Sequence, residues 1–240
     1  MKYQALTFDL WNTLFDPGVN LKDIRIERTG FYLARRGFLR SFDRIAAQYK
    51  TAAERFGKTW LYDHRNVPIS ELVRMILRGL DVPEEPVTIA ELTSQYEDTI
   101  LVNPPGLLDN AAAVLAALSQ HCLLGLVCDT GLSPGRVLRK VLEQHDVLRY
   151  FTCTTFSDEI GVTKPEAAVF NRTLERLGVT ASEAAHIGDL LDTDIAGAKA
   201  VGMDAIWVNR EGDTVDLRKT ESLPDWQITD LSELLTLIPK

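Results

Sequence analysis

Apolar residues along the chain follow two rhythms. Short, nearly continuous apolar runs occupy 4–8 (Gln-Ala-Leu-Thr-Phe), 123–128 (Leu-Leu-Gly-Leu-Val-Cys), 184–187 (Ala-Ala-His-Ile) and 204–208 (Asp-Ala-Ile-Trp-Val). Each stops at a polar residue or a glycine, the pattern of strands buried on both faces of a parallel sheet. Weaker runs predict two more strands, at 151–155 and 226–228. Between them the rhythm is helical. Ala111, Val114, Leu115 and Leu118 form one stripe, and Val137, Leu138, Val141 and Leu142 form another. Ser133-Pro134 reads as N-cap and first turn of that second helix. Pro165 is expected to open a helix carrying Phe170, Leu174 and Leu177, which Gly178 ends. Ile195, Ala198 and Val201 make a short stripe closed by Gly202. Asp230 with Glu233 resembles a capping box for a last helix bearing Leu234, Leu235 and Ile238.

From about residue 106 onward helix and strand therefore alternate, which predicts a doubly wound α/β parallel sheet of Rossmann-like form. Residues 16–105 break the alternation. They are rich in Arg, Glu, Ala, Leu and Tyr, hold no convincing strand, and predict helices near 20–36, 41–57, 69–80 and 88–100. Pro17-Gly18 and Pro104-Pro105-Gly106 punctuate the two ends. The reading is a sheet domain made of 1–15 and 106–240, with an α-helical insert at 16–105 directly after the first strand.

Composition narrows the partners. The chain has 240 residues, 45% of them hydrophobic, enough for one large domain or a domain plus an insert. The net charge of −8 and the lack of a basic block argue against nucleic acid and anionic membrane. No apolar run reaches the length that spans a bilayer. The N-terminus has no signal-peptide pattern, and a cytoplasmic monomer or homodimer is expected. Cys122, Cys128 and Cys153 have no metal-binding spacing; Cys122 and Cys153 are expected to be buried free thiols.

Ligands of open α/β sheets bind beyond the carboxyl ends of the strands. That rim should hold Asp9 and Thr13 after the first strand, and Cys128, Asp129 and Thr130 after the second. Lys164 lies just before Pro165, and Gly188, Asp189, Asp192 and Asp194 follow the 184–187 strand. Carboxylates brought together repel unless one is protonated or a cation joins them. Mg²⁺ prefers hard oxygen ligands and completes its shell with water or phosphate. Lys164 then has a task, neutralising a phosphate oxygen or holding a carboxylate. Any one of these residues alone reads as a turn or cap residue; their convergence on one rim carries the assignment.

"FDLWNTL", "KPEAAVF" and "IGDLLDTDIAGAKAVGM" resemble motifs one, three and four of the haloacid-dehalogenase-like (HAD) hydrolase superfamily. The order, the spacing and the helical insert after the first strand also match, the insert resembling that family's helical cap. The resemblance implies a nucleophilic Asp9 that is transiently esterified by the substrate. It implies Mg²⁺ held by Asp9, the backbone carbonyl of Trp11 and Asp189, with Asp194 supporting that shell. Lys164 would offset charge on Asp9 and on the transferring group. The family's second motif is a Ser or Thr at the end of strand two. Here Cys128 stands there, and Thr130, with Asp129 nearby, is the favoured polar contact because a thiol is a poor donor. Trp11, Thr13, Cys128 and Asp129 are the remaining expected substrate contacts.

Trp11 departs from the family pattern. In its ordinary phosphatases that position holds an aspartate that protonates the leaving oxygen, a function worth about 10²–10⁴-fold in rate. Three readings follow: a Mg²⁺-dependent phosphoryl hydrolase of a small, anionic phosphorylated substrate with weakened proton transfer; a 2-haloacid dehalogenase, whose family members carry an aromatic residue there but lack the second carboxylate seen here at Asp189; and a member that binds a phosphorylated ligand or a protein without turnover. Arg25, Arg28, Arg35 and Arg36 read as a solvated helix face. His64, His121 and His145 read as surface or packing residues and His186 as a satisfied core histidine.

Overall fold

The computed structural model describes residues 2–16, 18, 20–210 and 222–237. Six strands are present: β1 (Ala5–Phe8), β2 (Leu123–Cys128), β3 (Cys153–Phe156), β4 (Ala184–Gly188), β5 (Asp204–Val208) and β6 (Trp226–Ile228). They form one sheet in the order β3-β2-β1-β4-β5-β6, and every neighbouring pair is parallel. The direction of winding reverses beside β1, where an open α/β sheet leaves a crevice for ligands. Phe8 pairs with Leu126 on one side and Ile187 on the other. That register brings Asp9, the turn after Cys128 and the Gly188-Asp189 pair to one rim.

Four α-helices fill the insert that follows β1: α1 (Lys22–Ala34), α2 (Phe42–Asp63), α3 (Ile69–Gly79) and α4 (Pro86–Glu97). Their apolar stripes bury Ile26, Leu33, Leu72, Val73, Ile76, Leu77 and Tyr96 in a cluster of their own. The chain enters and leaves this segment through one paired connection. The Asp16 N–H donates to the Gly106 carbonyl (3.0 Å) and the Leu108 N–H to the Leu14 carbonyl (2.9 Å). Arg25 is buried, its Nε donating to the Tyr96 carbonyl (3.2 Å), which corrects the expectation that it lies on a solvated face.

The remaining helices cover the sheet: α5 (Ala111–Leu118), α6 (Gly135–Gln144), α7 (Ser157–Ile160), α8 (Ala167–Leu177), α9 (Ala196–Ala200) and α10 (Leu234–Leu237). On one face Leu6, Phe8, Leu124 and Leu126 pack with Val137, Leu138, Val141 and Leu142. On the other, Ala5, Val127 and Trp207 pack with Val169, Phe170, Leu174 and Ala198. Each buried Leu, Val or Phe among them contributes about 1.5–3 kcal/mol, which is why continuous apolar runs become central strands.

Several boundaries differ from the sequence reading. Pro134, not Ser133, caps α6, because the Ser133 N–H closes a turn onto the Thr130 carbonyl (3.2 Å). Pro165 precedes α8 by two residues, since a turn from Thr163 to Glu166, closed at 3.0 Å, occupies its expected first positions. The helix expected at 88–100 ends at Glu97 and tightens into a 3₁₀ turn, Asp98–Leu101. Ile195 lies in a π-turn, Leu191–Ile195, rather than in a regular helix. The Asp230/Glu233 capping box is present. Pro17 and Ile238 fall outside the described residues. All three cysteines are free, and Cys122 is only half-buried, so its expected full burial is corrected.

Gly197 lets α9 sit against the Lys164-Pro165 segment. A β-carbon there would lie 2.3 Å from the Phe170 ring and 3.0 Å from the Pro165 carbonyl oxygen. Gly197→Ala is expected to lower the unfolding free energy by about 1–3 kcal/mol through overpacking, read from the urea midpoint at neutral pH. An unchanged midpoint would mean that this contact has slack.

Candidate active site

Asp9 follows the last residue of β1 and is almost fully buried. Its N–H is tied to the Ile187 carbonyl (2.8 Å), which extends the β1–β4 ladder by one step and fixes where the carboxyl projects. The Lys164 ammonium donates to Asp9 Oδ1 and, at 2.6 Å, to Asp194 Oδ1. All three side chains are removed from solvent. Carboxylate oxygens of Asp9, Asp189 and Asp194 lie within 4.8 Å of one another. Three carboxylates thus face one ammonium.

Asp194 is held inward by the π-turn. Its own N–H and that of Ile195 both donate to the Leu190 carbonyl (3.0 and 3.2 Å), while its Oδ2 accepts the Leu190 N–H (3.0 Å). The extra residue in that turn aims Asp194 at the sheet, and exposed Asp192 points away and joins no cluster. Gly188 is required: a β-carbon there would stand 2.4 Å from Asp194 Cγ. Behind Asp194, His186 bridges to β1, with Nε2 3.2 Å from Asp194 Oδ1 and Nδ1 2.8 Å from the Thr7 hydroxyl. Burial lowers the His186 pKa against the pull of Asp194. The neutral tautomer with Nε2–H toward the carboxylate satisfies both contacts.

Charge states follow from this packing. Burial opposes the Lys164 charge, but Asp194, Asp9 and Asp129 outweigh it and hold the ammonium well above its ordinary range. Burial also works against the Asp194 charge, yet Lys164 and His186 keep that carboxyl ionised well below the usual range. Asp9 is raised well above it by burial, helped by Asp194 and Asp189 and opposed by Lys164. Asp189 is raised to about 6 by burial and by Asp194, and the Asn12 side chain hydrogen-bonds it in opposition. One lysine therefore leaves two carboxyls short of compensation, and the deficit matches a divalent cation. The donor set fits Mg²⁺, being all oxygen.

The other expected residues fall into two groups. Thr13 is fully buried, and its hydroxyl has no partner, so it does not bond its own turn; Thr163, beside Lys164, is in the same state. Trp11 tethers two rim loops, its Nε1–H donating to the Asp129 carbonyl (3.2 Å). Asp129 Oδ1 accepts the Lys164 backbone N–H (3.1 Å), and burial raises its pKa. The structure turns the Thr130 side chain toward two neighbours: its hydroxyl lies 3.2 Å from the Ser157 hydroxyl and 3.5 Å from Asn66 Oδ1. Cys128 sits in the apolar cluster, and burial, reinforced by Asp9, pushes its thiol well up, which removes the thiolate a nucleophile needs.

His186 is the satisfied core histidine the sequence reading expected, whereas Asn12, Asn66, Ser157 and Thr163 were passed over. Strand alternation gave a signal for His186, which shares a face of the sheet with Thr7 opposite it in the register. Asn66 had none, because only tertiary packing carries the α2–α3 connection to this rim.

A family model described as haloacid dehalogenase-like hydrolase matches residues 3–202. The chain is 26% identical to a glyceraldehyde 3-phosphate phosphatase of Pyrococcus furiosus, over 100% of this chain and 94% of that protein. It is 28% identical to a glyceraldehyde 3-phosphate phosphatase of Methanopyrus kandleri, over 68% of this chain and 70% of that protein. Among solved structures, a 2-haloacid dehalogenase from Pseudomonas syringae pv. Tomato superposes with a TM-score of 0.71 at 26% identity, over 98% of both chains.

Asp189 gives a pH test of the cation fit. Its folded-state pKa lies above its ordinary value of 3.8, so its charge destabilises the fold progressively as pH rises from about 4 to about 6. Asp189→Asn is expected to leave thermal stability at pH 8 equal or higher without metal and to erase the stabilisation that Mg²⁺ gives the parent. In the parent that Mg²⁺ increment should shrink as pH falls through about 6. A Mg²⁺ increment retained in Asp189→Asn would remove this residue from the cation site.

Proposed function

The chain belongs to the haloacid dehalogenase-like hydrolases, and on that footing we propose that it hydrolyses a small phosphorylated metabolite by way of Asp9. The observation that carries this reading is the gathering of Asp9, Asp189 and Asp194 around one buried lysine. Asp9, the Trp11 carbonyl, Asp189 and Asp194 would hold Mg²⁺, which when bound supplies charge to a phosphoryl oxygen and restores the ionised form of its ligands. The phosphatase names of the two relatives support phosphate as the transferred group.

In this reading an Asp9 carboxylate oxygen attacks phosphorus in line with the ester oxygen, which departs with the bonding electrons. Water then attacks the aspartyl phosphate, frees phosphate and regenerates Asp9. The Lys164 ammonium, clamped between Asp9 and Asp194, counters negative charge on the transferring group without moving. The Thr130 hydroxyl is already engaged by Ser157 and Asn66, so Thr13, on the loop after β1, is the polar contact proposed for phosphate, with Asp129 beside it. Trp11 cannot pass a proton, so the leaving oxygen must depart unaided or take its proton from water. Substrates whose leaving oxygen is a stable anion, such as aryl or acyl phosphates, fit this site best. The helices of 16–105 act as a cap that covers the rim and excludes water.

A second reading has two observations in its favour: the aromatic residue at position 11 and the likeness to a 2-haloacid dehalogenase. Displacement of halide needs no proton donor. The carboxylate of Asp189 has no task in that chemistry, which is why phosphoryl transfer is preferred.

Turnover of 4-nitrophenyl phosphate should require Mg²⁺, stop with chelator and be absent in Asp9→Asn. Trp11→Asp should raise kcat, by up to about 10²-fold, the lower end of what a general acid contributes. Metal-independent release of halide from a short-chain 2-haloacid, with no phosphate ester hydrolysed, would overturn the proposal.

A further inference from the structure

The connection between α2 and α3 reaches down to the rim and grips it. His64, in the left-handed region at φ 47°, ends α2 and turns the chain. The next two residues run antiparallel to the loop after α7. The Asn66 N–H donates to the Gly161 carbonyl (3.1 Å), the Thr163 N–H donates to the His64 carbonyl (3.0 Å), and Arg65 pairs with Val162. Lys164 is the residue that follows. The Asn66 side chain reaches the other rim loop, where Oδ1 accepts from the hydroxyls of Ser157 (3.2 Å) and Thr130 (3.5 Å). Ser157 Oγ in turn accepts the Thr130 N–H (3.0 Å).

These contacts converge on the two supports of Lys164. One is the 161–163 segment that leads into it. The other is the turn at 129–130, where Asp129 Oδ1 holds the Lys164 N–H. Dense packing does not hold this junction, for a cavity of about 200 Å³ lined by Asn66, Ser70, Thr93, Thr130 and Asp158 lies beside it. Directional hydrogen bonds through one amide oxygen, with two backbone bonds beside it, therefore set the register between the helical layer and the rim.

We propose that Asn66 is a positioning residue which, by seating the helical layer on Thr130, Ser157 and the 161–163 segment, holds Lys164 where the reaction needs it. The proposal rests on the hydrolase reading above for its kinetic consequence; its structural half stands on the hydrogen bonds alone. Catalytic geometry displaced by about an ångström costs up to about 10²-fold, so a loose clasp should appear in kcat before it appears in KM.

The test compares the full-length parent with Asn66→Ala, which removes the acceptor, and Asn66→Asp, which keeps an acceptor oxygen. Amide hydrogen exchange is read on the peptide covering 161–164, and kinetics are read with 4-nitrophenyl phosphate and Mg²⁺. Asn66→Ala is expected to speed exchange in that peptide about tenfold and to lower kcat about 10- to 100-fold at nearly constant KM. Asn66→Asp should recover most of both. Should Asn66→Ala fail to fold, Ser157→Ala deletes the partner hydroxyl and is expected to act in the same direction. Unchanged exchange with a fall in kcat would put the amide on the substrate itself and overturn the positioning role, and faster exchange at unchanged kcat would overturn it equally. If the parent hydrolyses no phosphate ester, the hydrolase reading fails by itself, and the exchange comparison alone decides whether Asn66 is the clasp.

Discussion

A single ammonium group, that of Lys164, lies between the carboxylates of Asp9 and Asp194 out of reach of water. Much of the architecture serves to make that arrangement tolerable. Buried ion pairs add little net stability, but removing one partner leaves an uncompensated charge that costs about 3–5 kcal/mol. The chain spreads this burden over several elements. β1 supplies Asp9, the loop after α7 supplies Lys164, and the π-turn after β4 supplies Asp194, with neutral His186 as a brace tied back to β1. A site assembled from separate segments of chain cannot form until the sheet has its final register, so its geometry is as reliable as the sheet itself. The same crowding leaves Asp189 and Asp9 short of positive charge, with burial holding both carboxyls above their ordinary range.

Trp11 shows how one position can redirect such a site. Its indole spans from the β1 rim to the Asp129 carbonyl and so stiffens the mouth between two strands. An aspartate in its place would offer a proton but no such tether. The backbone carbonyl at that position is unaffected by the exchange, so the proposed cation ligand is kept while the proton donor is lost. Under the proposed hydrolase reading, such a pocket would favour leaving groups that need little assistance, a narrower chemistry on an unaltered frame.

The sheet was legible because its strands are continuous apolar runs, and the ends of 123–128, 204–208 and 226–228 coincide with the observed strands. The meeting of Asp9, Lys164, Asp189 and Asp194 at one rim was legible because a parallel sheet brings the carboxyl ends of neighbouring strands together. Local backbone chemistry was less readable. The start of α8 moved past Pro165, and Asp194 lies in a π-turn, because hydrogen bonds to Thr163 and Leu190 compete with regular helix. Arg25 looked like a surface residue, since nothing in a helical stripe announces that a neighbouring carbonyl awaits a guanidinium. Asn66 is the extreme case. Its partners lie 64 and 91 positions away, and no local pattern marks a residue whose importance lies wholly in such contacts.

The paired connection at Phe15 and Leu107 has an evolutionary consequence. Because the outgoing and returning chains run side by side, everything between them is topologically a side branch of the sheet. Its length, sequence or even presence can change by insertion or deletion without altering the path of any strand. Only the contacts that 64–66 make with the rim would have to be kept or rebuilt in such an exchange.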